Sequence, residues 1–283
     1  MRLMRSKLFV PGSRPDLFAK AAASAADALS FDLEDAVAHE RKAEARGILA
    51  DYLRDRQHRQ LVVVRINALG TPYCDDDIAV IAPTRIDIVN MPMAEEPGEV
   101  VEIAQKLERH DPTDRIRLLV NVETPKGLRQ AHKLAQAHPR VMGLQVGYAD
   151  MLEPCGIDRM DQATLAYIRV SVRMAAGEAG IPAYDGAFFD LGDPEACRAE
   201  SIAARKSGFA GKSCIHPSQV DIVNEAFSPT PAEIERARRI FDAAEKAKKE
   251  GVGAFLVDGQ MIDAPFLPRV RAIIEWADKE GLK

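Results

Sequence analysis

Apolar segments of strand length alternate with amphipathic stretches of helix length over most of the chain. Runs of four to eight apolar residues bounded by turn residues are typical of buried parallel strands. Eight such runs are present: Lys7–Val10, Ala28–Leu33, Gln60–Ile66, Ile86–Met91, Leu118–Glu123, Val141–Val146, Ala183–Phe189 and Gly211–Ile215. Because strand then helix recurs about eight times between Lys7 and Val223, we predict an α/β fold, a closed (β/α)8 TIM barrel.

An open, doubly wound sheet is the alternative that the same alternation allows. Sheets of that kind that bind dinucleotides carry a Gly-x-Gly-x-x-Gly turn after the first strand, and no such turn follows Val10. The chain also has no low-complexity segment and no sequence repeat with a period of about 20 to 50 residues. The barrel therefore remains the better interpretation.

The C-terminal part of the chain departs from this alternation. Pro231–Glu250 reads as a charged amphipathic helix, residues 258–265 as a loop, and the following residues as a helix that ends near Lys279. Such a segment is too small to fold alone. We therefore predict a barrel domain over residues 1–228 and a C-terminal helical extension over residues 229–283 that packs on the barrel or on a neighbouring subunit.

Composition narrows the class of protein. The 283 residues are 47% hydrophobic with a formal net charge of −5, so the chain lacks the basic patch that nucleic acid requires. No segment approaches the roughly 20 consecutive apolar residues of a membrane helix, and the first residues lack the apolar stretch of a signal peptide. We expect a protein of the cytosol with no nucleic-acid or membrane partner. Its four cysteines lack metal-binding spacing and read as free thiols.

Polar side chains stand where several of these strands end. Glu123 follows Leu118–Val122 directly and precedes turn residues, Asp150 comes shortly after the sixth strand, and Arg65 lies near the end of the third. A carboxylate at the carboxyl end of a buried strand is well placed to hold a divalent cation or a substrate. An Arg in a β-branched run requires an anion. In a barrel all three side chains face one mouth, where they could converge.

The second strand ends in three acids, Asp32, Glu34 and Asp35. Carboxylates this close are costly unless a cation or hydrogen-bond donors lie nearby. For Asp35 a role as the N-cap of the next helix is an equally good interpretation.

Two further candidates have ordinary alternatives. Arg14 and Lys20 follow the first strand and could bind phosphates, although solvated surface charges are the commoner explanation for such residues. His216 ends the eighth strand, and a structural histidine is as good an explanation as a functional one.

Six motifs occur in order over nearly the whole chain. They are Phe9-Val10-Pro11-Gly12-Ser13-Arg14-Pro15, Asp32-Leu33-Glu34-Asp35-Ala36-Val37, Val64-Arg65-Ile66-Asn67, Glu123-Thr124, Ile215-His216-Pro217-Ser218-Gln219 and Gly259-Gln260-Met261-Ile262-Asp263. Together they resemble the citrate lyase beta subunit family of the HpcH/HpaI aldolase superfamily, which includes malyl-CoA and citramalyl-CoA lyases. Each motif alone is weak, whereas six in register are specific.

This resemblance implies a (β/α)8 barrel with Mg2+ as its cofactor, held by carboxylates at the positions of Glu123 and Asp150. It implies that Arg65 binds the reacting oxygens and that Phe9, Arg14 and Lys20 lie along coenzyme A.

The resemblance also gives the C-terminal extension a role. The acid matching Asp263 is carried over the active site of a neighbouring subunit in the thioester lyases of this family. It would act there as the general acid of catalysis. We therefore expect a homo-oligomer, a trimer or a hexamer built from two trimers.

The implied activity is magnesium-dependent cleavage of a carbon–carbon bond in a short β-hydroxyacyl-CoA, of the citramalyl-CoA or malyl-CoA type. The products would be acetyl-CoA and a 2-oxo acid. One alternative is a citrate lyase beta subunit that acts on an acyl carrier protein within a larger complex. Another is a CoA-binding paralogue without catalysis, because Met93 stands where the family usually has a lysine, while Glu95 is kept.

Overall fold

A computed structural model describes residues 4–282 of the chain, and its first eight strands form a closed parallel barrel. The strands follow one another around the barrel in sequence order, and the eighth pairs with the first. They are Ser6–Pro11 (β1), Ala28–Asp32 (β2), Leu61–Arg65 (β3), Ile88–Met91 (β4), Arg117–Val122 (β5), Val141–Val146 (β6), Ala183–Asp185 (β7) and Gly211–Cys214 (β8). The predicted TIM barrel is confirmed.

α-Helices follow the strands along the chain and cover the outside of the barrel. They are Phe18–Ala22 (α1), Lys42–Arg54 (α2), Cys74–Ile81 (α3), Pro97–Glu108 (α4), Pro125–Gln136 (α5), Tyr148–Leu152 (α6), Gln162–Glu178 (α7), Pro194–Lys206 (α8) and Ser218–Phe227 (α9). Within residues 4–282, no helix has both the length and the apolar run that a bilayer crossing demands.

Alternation along the strands divides their side chains between two apolar cores. Val62 and Val64 point outward and belong to the large core between barrel and helices. Val63 points inward, where it packs with Ile88 and Leu119 in a smaller core inside the barrel. Since successive strand residues face opposite sides, one continuous apolar run supplies both cores.

The acids after β2 correct one interpretation from the sequence. Helix α2 begins at Lys42, after a 3-10 turn over His39–Arg41, so Asp35 does not cap it. Lys42 instead bends back and donates hydrogen bonds to the carbonyl oxygens of Leu33 and Glu34. The turn after β2 is thereby fixed by a cation from the following helix.

The remaining residues form a second compact unit, which begins at Ser228. It contains Pro231–Lys249 (α10), the antiparallel strands Phe255–Val257 (β9) and Gln260–Ile262 (β10), and Leu267–Lys279 (α11). The hairpin lies partly in a stretch that we predicted as a loop. Its turn is Asp258-Gly259, both with positive φ, and an Asp-Gly pair between apolar residues is a strong signal for such a hairpin.

A buried ion cluster stabilises the last two barrel strands. Lys212 of β8 donates hydrogen bonds to Asp185 of β7 (2.9 Å) and to Glu200 of α8 (2.7 Å). Arg169 of α7 also pairs with Asp185 (3.0 Å). Burial alone would raise the pKa of Asp185, but the two cations outweigh it and lower the pKa from 3.8 to about 2. The carboxylate therefore stabilises the fold above pH 3.8, and this contribution is lost as the pH falls through about 2.

Replacing Asp185 with Asn tests this cluster. The change removes the buried carboxylate that Lys212 and Arg169 share and leaves Glu200 to compensate both cations, so we expect the free energy of unfolding to fall by about 3–5 kcal/mol. Urea unfolding followed by circular dichroism at pH 7 measures the loss. Glu225→Gln is the control, because the pair between Glu225 and Arg198 lies at the surface and should contribute no measurable stability. Equal stability of the two variants would contradict the assignment.

Candidate functional site

A cavity of about 420 Å³ opens at the carboxyl ends of the barrel strands. Asp32 and Asp35 line it, and so do four of the predicted site residues: Phe9, Arg65, Glu123 and Asp150. These four come from β1, from β3, from the position directly after β5 and from the first turn of α6, so the barrel brings together side chains that are far apart in the chain. The mouth at the carboxyl ends of the strands is where TIM-barrel active sites lie.

Glu123 is held rigidly at the base of this mouth. Its Oε1 accepts a hydrogen bond from the Met93 backbone N–H (2.7 Å) and its Oε2 accepts one from Asn121 Nδ2 (3.0 Å). Gly147 leaves room for the carboxylate, since a Cβ there would collide with Oε2. Burial raises the pKa of Glu123, and the charge of Asp150 raises it further. The carboxylate is therefore oriented but incompletely neutralised.

Met93 provides its donor from an unusual backbone conformation. Its φ of +54° lies in the left-handed region, which is uncommon for a residue other than glycine. The side chain is 42% exposed. At the position where the resemblance implies a lysine, the contact to Glu123 therefore comes from a neutral peptide group.

Arg65 is surrounded by the acids that follow β2. Nε and Nη2 bind both oxygens of Asp32 (2.8 and 2.7 Å), and Nη1 lies 2.9 Å from Glu34 and 3.2 Å from Asp35. Its guanidinium also lies over the Phe9 ring, 5.2 Å from the centroid. Burial and the neighbouring acids raise the pKa of Glu34 to about 8 in spite of Arg65.

Asp150 lies in the first turn of α6, at the solvent side of the cavity. Partial burial raises its pKa, and the charge of Asp35 adds to the effect. The mouth thus holds more carboxylates than Arg65 neutralises.

No group of three or more Asp, Glu, His or Cys within residues 4–282 forms a complete metal cage. Two carboxylate groups with raised pKa values nevertheless fit Mg2+, which commonly binds one or two protein carboxylates and completes its shell with water and substrate.

A hydrogen-bonded chain links Glu123 to the amine of Lys7 inside the barrel. Lys7 Nζ donates to Asn90 Oδ1 (3.0 Å), Asn90 Nδ2 donates to Asn121 Oδ1 (2.6 Å), and Asn121 continues to Glu123. Lys7 is 2% exposed, and burial lowers its pKa, with Arg65 adding to the effect. The sequence analysis missed these three residues. Their signal is a polar side chain at an inward position of an otherwise apolar strand.

Other residues singled out from the sequence lie elsewhere. Arg14 and Lys20 are exposed and do not line the cavity, and Arg14 pairs with Asp16 (2.7 Å). His216 is exposed and contacts Ser218. Asp263 belongs to the second unit, where it precedes a 3-10 turn, and its buried Oδ1 has no hydrogen-bond partner in the described part of the chain.

The fold and the site define a (β/α)8-barrel protein with a carboxylate-rich cavity at the carboxyl ends of its strands. The chain belongs to the HpcH/HpaI aldolase/citrate lyase family, whose profile matches residues 5–217. Residues 189–279 also match the C-C bond lyases of the TIM-barrel fold. The family interpretation drawn from the six motifs is confirmed.

Known relatives cover nearly the whole chain. A citrate lyase subunit beta-like protein of Deinococcus radiodurans is 39% identical over 96% of each chain. A (3S)-malyl-CoA thioesterase of Cereibacter sphaeroides is 36% identical over 92% of this chain and 89% of its own. The structure of CitE from Mycobacterium tuberculosis in complex with magnesium, acetoacetate and coenzyme A superimposes with a TM-score of 0.81. It is 34% identical and covers 98% of this chain and 100% of that one.

Gly147→Ala tests the tight fit around Glu123. The added methyl group would lie 2.6 Å from the Glu123 Cβ, so the carboxylate or the strand must shift, and we expect a loss of about 1–3 kcal/mol in the free energy of unfolding. Gly47→Ala is the control. Gly47 is inside α2, and apart from its chain neighbours and the backbone of its own helix turn a Cβ there would meet no atom of the described residues within 4 Å, so that change should stabilise by about 0.5–1 kcal/mol. Chemical denaturation of both variants measures the difference, and a stabilised Gly147→Ala protein would refute the fit.

Proposed function

We propose that this protein is a magnesium-dependent carbon–carbon lyase of the cytosol. Its substrate would be a short β-hydroxyacyl-CoA of the citramalyl-CoA or malyl-CoA type, cleaved to acetyl-CoA and a 2-oxo acid. The observation that carries the proposal is the convergence of Glu123, Asp150 and Arg65 on one cavity, in a family whose solved members include one bound to magnesium and coenzyme A.

Glu123 and Asp150 are the residues that would hold Mg2+. When bound there, the ion supplies Lewis acidity and charge neutralisation for the oxygens of the 2-oxo acid half. Glu123 is suited to this task because hydrogen bonds from Met93 and Asn121 fix both of its oxygens. Asp150 lines the same cavity, and its exposed carboxylate can adjust its position to the ligand.

The chain's own residues would then stabilise the charges of a retro-Claisen cleavage. The hydroxyl group would pass its proton to a carboxylate of the mouth, and its oxygen would become the carbonyl oxygen of the 2-oxo acid. The electron pair of the broken carbon–carbon bond would move onto the thioester fragment as an enolate. Arg65 would bind the oxygens that gain negative charge. Its Nη1 would be the donor, because Asp32 holds Nε and Nη2. Nη1 contacts both Glu34 and Asp35, and the side chain of Asp35 is 67% exposed, so substrate can displace Asp35 while Glu34 keeps its contact.

The cleavage finishes when a proton reaches the enolate carbon and releases acetyl-CoA. Asp263 of a neighbouring subunit would donate it as general acid, which makes the active form a homo-oligomer, a trimer or a hexamer. Phe9 lines the cavity and would contact the acyl end of coenzyme A. Arg14 and Lys20 are exposed, as side chains that bind phosphates at an open surface would be.

Three other functions are compatible with the family. A citrate lyase beta subunit would act only on a carrier-bound substrate. A non-catalytic paralogue would bind CoA without turnover, and the neutral Met93 favours it. A thioesterase would hydrolyse malyl-CoA without breaking a carbon–carbon bond, and the malyl-CoA thioesterase among the relatives favours that reaction.

Product analysis separates these functions. We expect the purified protein to release acetyl-CoA from citramalyl-CoA or malyl-CoA with Mg2+, and EDTA to abolish the release. Free CoA with intact malate would indicate the thioesterase instead. If none of malyl-CoA, citramalyl-CoA and citryl-CoA is cleaved, the proposal is contradicted, and the carrier-bound or the non-catalytic alternative is favoured.

Glu123→Gln tests the metal site. The variant loses one carboxylate charge, so Mg2+ binding measured by calorimetry should weaken at least about tenfold. Unchanged binding would show that Glu123 does not hold the metal.

Asp263→Asn tests the general acid. Turnover should fall by a factor of about 100 or more, while Mg2+ and CoA affinities stay near those of the unmodified protein. Asp258→Asn is the control, because Asp258 lies in the same unit and pairs with Arg239 at the surface. Equal turnover of the two variants would show that Asp263 has no part in the reaction. Restored activity in mixed oligomers of Asp263→Asn with Glu123→Gln would indicate that the acid acts across subunits.

A further inference from the structure

Helix α6, which carries Asp150, is too short to be stable by itself. It has five residues, Tyr148–Leu152, and continues only into a 3-10 turn over Glu153–Cys155. Its N-cap residue is Gly147, which has no side chain to cap it. Helix nucleation is unfavourable, and isolated helices of fewer than about 12 residues are marginal in water. The position of Asp150 therefore depends on contacts that other parts of the barrel make with α6.

Tyr148, the first residue of α6, is anchored on several sides. Its hydroxyl group donates a hydrogen bond to Asp185 of β7 (2.6 Å). The Arg159 guanidinium lies over its ring, 4.2 Å from the centroid. The ring also packs against the backbone of the loop after β7, since a Cβ at Gly186 would lie 2.6 Å from the ring atom Cδ2. Tyr148 is buried, so α6 begins at a residue that the barrel holds in place.

The groups that anchor Tyr148 are themselves fixed. Asp185 is the central carboxylate of the buried ion cluster. Arg159 forms two hydrogen bonds with Glu200 of α8 (3.1 and 3.0 Å) and donates a third to the carbonyl oxygen of Ala187 (3.0 Å). Tyr148 thus connects the start of α6 to buried ion pairs on β7 and α8.

The Asp150 carboxylate has no comparable support of its own. Met93 and Asn121 donate hydrogen bonds to the two oxygens of Glu123. The Asp150 carboxylate accepts none from any other residue in the part of the chain that the structure describes. Since Asp150 lies two positions after Tyr148 in the same helical turn, the contacts of Tyr148 also determine where this carboxylate lies.

We propose that Tyr148 is a positioning residue for Asp150. Its hydrogen bond to Asp185 and its contact with Arg159 hold the first turn of α6 where Asp150 can bind Mg2+ together with Glu123. The inference rests on the proposed function, which assigns the two carboxylates to the metal. Residues that orient a metal ligand without touching the metal contribute a factor of about 10–100 in metal affinity. Because Tyr148 acts before any substrate binds, the affinity for Mg2+ alone reports its contribution.

Tyr148→Phe tests the proposal by calorimetric titration with Mg2+ in the absence of substrate. The variant keeps the ring and loses only the hydroxyl group, and Asp185 retains Lys212 and Arg169, so the protein should fold. We expect the Mg2+ affinity to fall at least about tenfold. Arg159→Met removes the cation over the ring and should also lower the affinity.

Tyr184→Phe is the matched control. Tyr184 is also a buried tyrosine, but it belongs to the small core inside the barrel and does not line the cavity. The same loss of a hydroxyl group should therefore leave the Mg2+ affinity within about twofold of that of the unmodified protein. Urea unfolding of both variants measures the stability that each loses. An equal loss of Mg2+ affinity in Tyr184→Phe would show a general effect of stability and overturn the inference.

A double-mutant cycle decides whether Tyr148 acts through Asp150. In an Asp150→Asn background, Tyr148→Phe should change the Mg2+ affinity by less than about twofold, because the carboxylate that Tyr148 positions is gone. An undiminished loss in that background, or an unchanged affinity in Tyr148→Phe alone, would overturn the inference and leave the proposed function intact. If the unmodified protein does not bind Mg2+, or if Asp150→Asn has no effect on binding, the proposed metal site is wrong, and the inference fails with it.

Discussion

The arrangement of the site depends on one constraint, the concentration of carboxylates around a single arginine at the barrel mouth. Arg65 binds Asp32 through two hydrogen bonds and reaches Glu34 and Asp35 with its third nitrogen. Burial and the neighbouring carboxylates together raise the pKa of Glu34 to about 8, because the single cation of Arg65 does not compensate them. The fold thereby maintains a negative potential at the place where a TIM barrel binds its ligands.

Part of the cavity wall is held in place by the buried ion cluster. Tyr148 lines the cavity and donates a hydrogen bond to Asp185 (2.6 Å), which belongs to the buried ion cluster. Arg159 lies over the Tyr148 ring at 4.2 Å and forms two hydrogen bonds with Glu200. The ion cluster therefore connects barrel stability to the position of the cavity wall, because both depend on Asp185.

Much of this architecture follows from the sequence, and the exceptions have a physical cause. Alternating apolar runs predict the barrel, and a charged residue at a strand end predicts that Arg65, Glu123 and Asp150 share one mouth. The position of Lys7 and Asn121 near the site was not predicted, because one polar residue inside an apolar run does not change the strand assignment. Only the closed barrel shows that such residues face each other.

Met93, at the position where the resemblance implies a lysine, is best understood from this geometry. A lysine side chain in that loop would bring a charge to the acids from the solvent side. In this chain the backbone of Met93 contributes a neutral donor, and the buried amine of Lys7 is connected to Glu123 through two asparagines. The two asparagine amides fix the orientation of the Glu123 carboxylate but bring no positive charge to it. Glu123 is consequently well oriented but poorly neutralised, and a carboxylate in that state gains the most from a divalent cation. The substitution thus changes how the acid is held without removing any acid from the mouth.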